Sequence, residues 1–366
     1  MSIATEITRL QNAKAALKSS IEAKGVTVPQ DAKIDTYAEL IDSIPTGGGE
    51  YEPICFTSLE DGNTFSLNKE ISISVDGKKT WQTLAANTPS PVINAGEKIY
   101  FKATENAYPY QGVNYNYQFT TLKTCNVSGH PYSLYTKFSY YSFAYLFQNT
   151  KIVDASGLDL SENKTTSRCY LEMFRGCTSL VTAPELPATT IADSCYQGMF
   201  RGCTSLVTAP ELPATTLANN CYYEMFQGCT SLVTAPELPA TTLKDYCYAY
   251  MFNKCTSLTK APELPATTLL NYCYYYMFSK CTSLVTAPEL PATTLVNYCY
   301  GYMFDGCKKI NYIKALFTTS PSTSYTGYWL YGVASTGTFV KNSAATWTTT
   351  GSHGIPKGWT VINDNA

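Results

Sequence analysis

Cys195-Tyr-Gln-Gly-Met-Phe-Arg-Gly-Cys-Thr-Ser-Leu-Val-Thr-Ala-Pro-Glu-Leu-Pro-Ala-Thr-Thr-Leu-Ala-Asn-Asn220 is one copy of a unit that recurs five times between Cys169 and Tyr298. Its first cysteine returns as Cys169, Cys195, Cys221, Cys247, Cys273 and Cys299, and its second as Cys177, Cys203, Cys229, Cys255, Cys281 and Cys307, always 26 residues apart. A fixed period of this size marks a solenoid, in which each coil buries its apolar side only against its neighbours. Within the unit, Cys195, Tyr196, Met199, Phe200 and Cys203 fall at i, i+1, i+4, i+5 and i+8, which reads as one face of a short helix. Asp193 stands just before it, as do Ser167, Asn219, Asp245, Asn271 and Asn297 in the other units, all short polar residues suited to capping a helix N-terminus. Gly176, Gly202, Gly228 and Gly306 fill the far end, where glycine takes the left-handed conformation that stops a helix. Lys254 and Lys280 hold that slot in two units, so those two ends are expected to close differently. A helix of about two turns depends on stacking for its stability. Leu206-Val-Thr-Ala209 then alternates and stops at Pro210, giving one strand per coil in a stacked parallel sheet, and the prolines of Pro210-Glu-Leu-Pro213 turn the chain.

Met-Phe-x-Gly-Cys-Thr-Ser-Leu followed by Pro-x-Leu-Pro resembles the leucine-rich repeats of the BspA-like (Treponema-type) surface proteins, over roughly residues 143–307. The resemblance implies a leucine-rich-repeat solenoid and an adhesive role. The period is slightly longer than that family's usual unit.

The whole chain narrows the function. It has 366 residues, which points to several domains, and a net charge of −2, which points away from nucleic acid and anionic membranes. No run of 18 apolar residues is present, so no membrane insertion is expected. Residues 1–9 lack a basic region followed by an apolar core, so no signal peptide is expected either. Twelve of the 14 cysteines are locked to the repeat, no Cys-x-x-Cys pair occurs, and the only histidines are His130 and His353. The cysteines are therefore expected to be free, buried and small rather than disulfide-bonded or zinc-binding.

The expected architecture is multidomain. Residues 1–45 form a helical attachment or oligomerisation segment, with Ile7, Leu10, Leu17 and Ile21 on one heptad seam that Lys14 interrupts, and a second helix opened by the capping box Thr36-x-x-Glu39. The two helices either pack on each other or dock on a partner. Glu6-Ile-Thr-Arg-Leu-Gln-Asn-Ala-Lys14, Lys24-Gly-Val-Thr-Val-Pro29 and Ile34-Asp-Thr-Tyr37 resemble the N-terminal segment of phage tail and fibre proteins. Residues 46–50 are a glycine-rich linker. Residues 51–140 read as a β-sandwich-like spacer, with Asp76-Gly77 as a hairpin turn. Ser74-Val-Asp-Gly-Lys-Lys-Thr-Trp81 resembles the Asp-box of sialidases with its glycine displaced by one, and even a perfect Asp-box is a structural hairpin. Residues 141–310 are the solenoid, with a degenerate first coil at 141–168. Residues 311–366, with Trp329, Trp347 and Trp359, read as a β-rich C-terminal cap. Gly337-Thr-Phe-Val-Lys341 and Gly354-Ile-Pro-Lys-Gly-Trp-Thr-Val361 resemble the ends of similar repeat proteins from gut bacteria and their phages.

Catalysis finds little support. Two histidines outside any motif do not make a nucleophile–base pair, no glycine loop is built to cradle phosphate, and no cofactor is expected. Glu185, Glu211, Glu237, Glu263 and Glu289 form a one-per-coil ladder, read as a solvated edge without the varied oxygen cage that calcium prefers. A glycan-degrading enzyme would need two close carboxylates in a cleft. Binding is better supported. The positions that drift between units lie opposite the Cys-Met-Phe face, and in the last three they turn to tyrosine. Tyr246, Tyr272 and Tyr298 make one column and Tyr250, Tyr276 and Tyr302 another, with Tyr223 and Tyr275 extending the patch. An exposed aromatic grid is expected to bind a partner. The reading is a non-enzymatic phage virion protein of tail- or head-fibre type. It is a homo-oligomer that joins other virion proteins through its N-terminal segment and displays the tyrosine face to a host surface glycan or protein. The alternative is a bacterial BspA-like adhesin.

Overall fold

A computed structural model describes residues 51–104, 117–134, 141–161 and 165–364; Ile7, Leu10, Leu17, Ile21 and the expected N-terminal helices lie outside them. Over the described residues the chain is a β-solenoid with very little helix.

The stretch read as a helix is a ribbon of turns. N–H groups of Cys195, Gln197, Met199, Arg201 and Cys203 bond back three residues, to the carbonyls of Ala192, Ser194, Tyr196, Gly198 and Phe200. The alternate N–H groups, of Ser194, Tyr196, Gly198, Phe200 and Gly202, bond forward to Asn219, Cys221, Tyr223, Met225 and Gln227 of the next coil, at 2.8–3.0 Å. Every fourth residue is left-handed, as at Ser194, Gly198 and Gly202 (φ 53°, 60° and 74°). The spacing i, i+1, i+4, i+5, i+8 explains the correction, because its period is four. On a helix of 3.6 residues per turn that pattern drifts by about 40° each time. A two-turn helix would also leave its terminal N–H and C=O groups unpartnered, whereas the ribbon gives every second N–H an acceptor on the next coil.

Two further expectations change with it. Lys254 and Lys280 (both φ 63°) adopt the same left-handed conformation as Gly202, so those ends close like the others. A Cβ on Gly202 would meet its nearest neighbour at 3.8 Å, so the slot has room for a side chain. Asp193 and Asp245 do not cap helices; each Oδ1 accepts the backbone N–H of the corresponding residue one coil on, Asn219 and Asn271, at 3.0 Å.

The expected strand per coil shrinks to single parallel bridges, Thr208 to Thr234, Thr234 to Lys260 and Lys260 to Thr286, because the following prolines supply no ladder N–H. The 26-residue stacking register holds at each of them. Inside the coils, Phe174, Phe200, Phe226, Phe252, Phe278 and Phe304 stack 5.6–5.7 Å apart. Tyr170, Tyr196, Tyr222, Tyr248, Tyr274 and Tyr300 form a second buried stack. All 14 cysteines are buried and unbridged. They are more than small hydrophobes: Cys203, Cys229, Cys255, Cys281 and Cys307 donate S–H to the carbonyls of Phe174, Phe200, Phe226, Phe252 and Phe278 at 3.0–3.1 Å. Each of those carbonyls also takes the turn bond of its own coil, so the thiol fills the second lone pair of a buried oxygen.

Before the coils, strands β1 (Ile54–Ser58), β2 (Phe65–Leu67), β3 (Ile71–Ser74), β4 (Gln82–Leu84), β5 (Lys98–Lys102), β6 (Phe119–Thr121) and β7 (Cys125–Gly129) form two sheets. One is a six-stranded sheet, ordered β4-β3-β5-β1-β7-β8, whose last strand is β8 (Ile152–Leu158) of the first coil; the other is the β2–β6 ribbon. A second full sheet to complete a sandwich is not found among the described residues. The sheet joins the first coil directly, since β7 pairs in parallel with β8, and Phe56 and Phe119 pack on Phe147 of that coil. After the repeats, β9 (Tyr312–Ala315), β10 (Thr338–Asn342) and β11 (Thr360–Asp364) stack in parallel and continue the winding. Trp329, Trp347 and Trp359 are buried there, each indole N–H donating to a backbone carbonyl.

Candidate functional site

The eight tyrosines singled out from the sequence come together on the outer side of the turn ribbon. Tyr246, Tyr272 and Tyr298 stack at 4.5 and 5.0 Å, with planes within 16° of parallel. Tyr250, Tyr276 and Tyr302 stack beside them at 4.8 and 4.3 Å. Tyr275 stands across the planes of five neighbours, 5.6 Å from Tyr250, 5.2 Å from Tyr272, 4.6 Å from Tyr276, 5.8 Å from Tyr298 and 6.0 Å from Tyr302. Tyr223 stands the same way against Tyr246 and Tyr250.

The column that holds these two wedges alternates in size: Tyr223, Ala249, Tyr275, Gly301. A Cβ on Gly301 would lie 3.0 Å from the Tyr275 ring, so the large residue of one coil occupies the space the small residue of the next leaves open. The rows sit at left-handed backbone positions, φ 49–58° for all six row tyrosines. That conformation costs a side-chain-bearing residue about 1–2 kcal/mol, and each ring pair, at about 0.5–1.5 kcal/mol, offsets part of it.

The expectation of an exposed grid needs correcting in one respect. All eight rings are half-buried, because the faces of the row rings lie against each other. What they offer outward are edges and hydroxyls. Burial raises the phenol pKa values of Tyr223, Tyr246, Tyr250, Tyr275 and Tyr276, with Glu224 adding to the shift at Tyr223 and adjoining phenols at the others. These five phenols are therefore uncharged at neutral pH. Toward the N-terminus the Tyr250 column carries Glu172 and Glu224 instead, paired with Arg175 and Arg201, both at 2.7 Å. Burial raises the carboxyl pKa of Glu224, against the pull of Arg201.

Sequence reading missed Tyr328, which stacks 5.2 Å from Tyr302 and extends that row, and Tyr331, which packs edge-on against Tyr328. Tyr328 lies 26 residues after Tyr302, so the signal was present but fell in a stretch read as a separate cap.

The other candidate groups are engaged within the fold or lie exposed on it. The Asp76 carboxylate is taken up by its own hairpin, accepting from Ser74 Oγ, the backbone N–H groups of Lys79 and Thr80, and Thr80 Oγ1; these hydrogen bonds, Thr80 foremost, hold it far below the ordinary carboxylate range. His130 is buried between Tyr51 and Tyr132 and accepts the Tyr132 N–H through Nδ1. The glutamate ladder is exposed, and Glu289 pairs with Lys314 at 3.3 Å. Among the described residues no group of three His, Cys, Asp or Glu is placed to hold a metal ion. Comparison with known proteins finds no match to any protein family, any curated protein or any solved structure.

Proposed function

We propose that this chain is a non-enzymatic binding protein whose repeat array displays the tyrosine strip to a surface, as a phage virion protein of tail- or head-fibre type that recognises its host. The strip carries the reading, since it joins eight tyrosines from four coils into one ordered outer face. The resemblance of residues 6–37 to phage fibre N-termini supports attachment to other virion proteins and homo-oligomerisation through Ile7, Leu10, Leu17 and Ile21. The resemblance of the Met-Phe-x-Gly-Cys-Thr-Ser-Leu repeat supports a second reading, a BspA-like leucine-rich-repeat adhesin on a bacterial surface.

Two experiments test this. Mass spectrometry of density-purified phage particles and of host envelope fractions assigns the location, with stoichiometric peptides expected in the particles; peptides in the envelope alone favour the adhesin. The variant Tyr246→Ser/Tyr272→Ser/Tyr298→Ser then tests the face. Ser194 already holds that slot at φ 53°, so the backbone accommodates serine. Cell binding should be lost with the fold retained; unchanged binding refutes the assignment of this face.

A further inference from the structure

Resting on the reading of this strip as a binding face, we infer that its ligand is a linear, uncharged polysaccharide lying along the solenoid axis, with one sugar ring per coil. The first ground is the repeat. Ring spacings along the two rows run from 4.3 to 5.2 Å, so the strip is a ruled surface with one hydroxyl per row per coil. A partner that engages several coils at once must repeat at a similar step. An extended peptide laid along the axis brings same-face residues about 6.6 Å apart, and loses register within two coils. An equatorially linked pyranose chain advances by the span of one ring and its bridging oxygen, which keeps step over three or four coils.

The second ground is the chemistry offered. With the ring faces taken up by stacking, the strip recognises through phenol hydroxyls, which both donate and accept, as sugar hydroxyls do. It is also poor in free apolar area, which an obligate protein interface would need at its centre. The third ground is the border. Asp245, Asn271 and Asn297 directly precede the first row, while Asp305 with Lys254 and Lys280 flanks the second; Ser279, between them, is buried and donates to Asp305. The two lysines balance the two aspartates, so the border favours a neutral polymer over a polyanion, and its short polar side chains suit hydroxyl ligands.

The test uses the full chain with cellohexaose, chitohexaose and mannohexaose as probes in calorimetry, beside their disaccharides. At least one hexaose should bind, more tightly than its disaccharide. Tyr272→Phe/Tyr276→Phe, which keeps the stacks and removes two hydroxyls, should weaken that binding by about tenfold or more. Failure of all three hexaoses, or binding that the Phe variant leaves unchanged, overturns the inference. A concentration-dependent dimer abolished by the same variant overturns it in favour of a second copy of the chain. Cell binding that an excess of the bound hexaose does not compete away overturns the glycan and leaves the binding face standing; absence of any cell binding overturns the underlying reading itself.

Discussion

Raising the pH should dismantle this protein abruptly, through its thiols. Burial lifts the pKa of Cys169, Cys177, Cys229, Cys247, Cys299 and Cys307 from an ordinary 9.0 to about 12. Below pH 9 the folded and unfolded chains both keep these protons, and their contribution to stability is complete. Between pH 9 and 12 the unfolded chain releases protons that the folded chain holds, so stability falls as pH rises. One thiol gives about 1.4 kcal/mol per pH unit, and six give about 8 kcal/mol. A stability of about 5–15 kcal/mol is then exhausted within roughly one to two pH units above 9. The half-buried phenols act in the same direction. Circular dichroism and thiolate absorbance, followed together against pH, should show one cooperative transition with both signals moving at once. At pH 8, Ellman's reagent should label almost no thiol until denaturant is added. Thiolate absorbance that rises gradually in a chain still folded, or prompt labelling at pH 8, would refute the claim that the cysteines are sealed between coils.

Single substitutions test the other contacts. Cys229→Ala removes the S–H that Phe200 accepts and leaves a small void, and should cost about 1–3 kcal/mol in denaturant unfolding. Lys254→Gly keeps a left-handed residue that other coils fill with glycine, and should raise stability by about 0.5–1 kcal/mol, readable as a higher melting temperature. Gly301→Val drives a side chain into the Tyr275 ring and should cost about 1–3 kcal/mol; adding Tyr275→Ala should recover part of that loss in a double-mutant cycle, which additive costs would contradict.

The solenoid and its tyrosine columns were legible because every feature that depends only on position modulo 26 is written in the sequence. The stacking of Phe200 on Phe226, of Tyr246 on Tyr272 and the burial of both cysteine columns all follow from that register. What the chain does within one coil was less legible. Five apolar positions over nine residues fit a helical stripe and a four-residue ribbon almost equally, and the deciding bonds go to the next coil, where a single-unit reading does not look. The lysines at 254 and 280 were the clue: they hold the glycine slot because the slot is an ordinary ribbon position and not a helix stop. The orientation of the rings was also hidden, because column spacing predicts contact between tyrosines but not that their faces would be used up by it. The union of β7 with β8 left no compositional trace, since strands of unlike local pattern can share one hydrogen-bonded sheet.

The forward-directed bonds of the turn ribbon have a mechanical consequence. From Ser194 to Gly202, five N–H groups of one coil reach the next, and these bonds run along the length of the stack. Tension applied end to end therefore loads each junction directly, and the weakest coil opens while its neighbours stay wound. A freed coil of 26 residues extends to about 90 Å, at 3.3–3.6 Å per residue, many times its stacked thickness. Under load the array would lengthen in near-equal steps, absorbing work at each one, and a tether held at one end and gripping at its side would yield coil by coil before it let go.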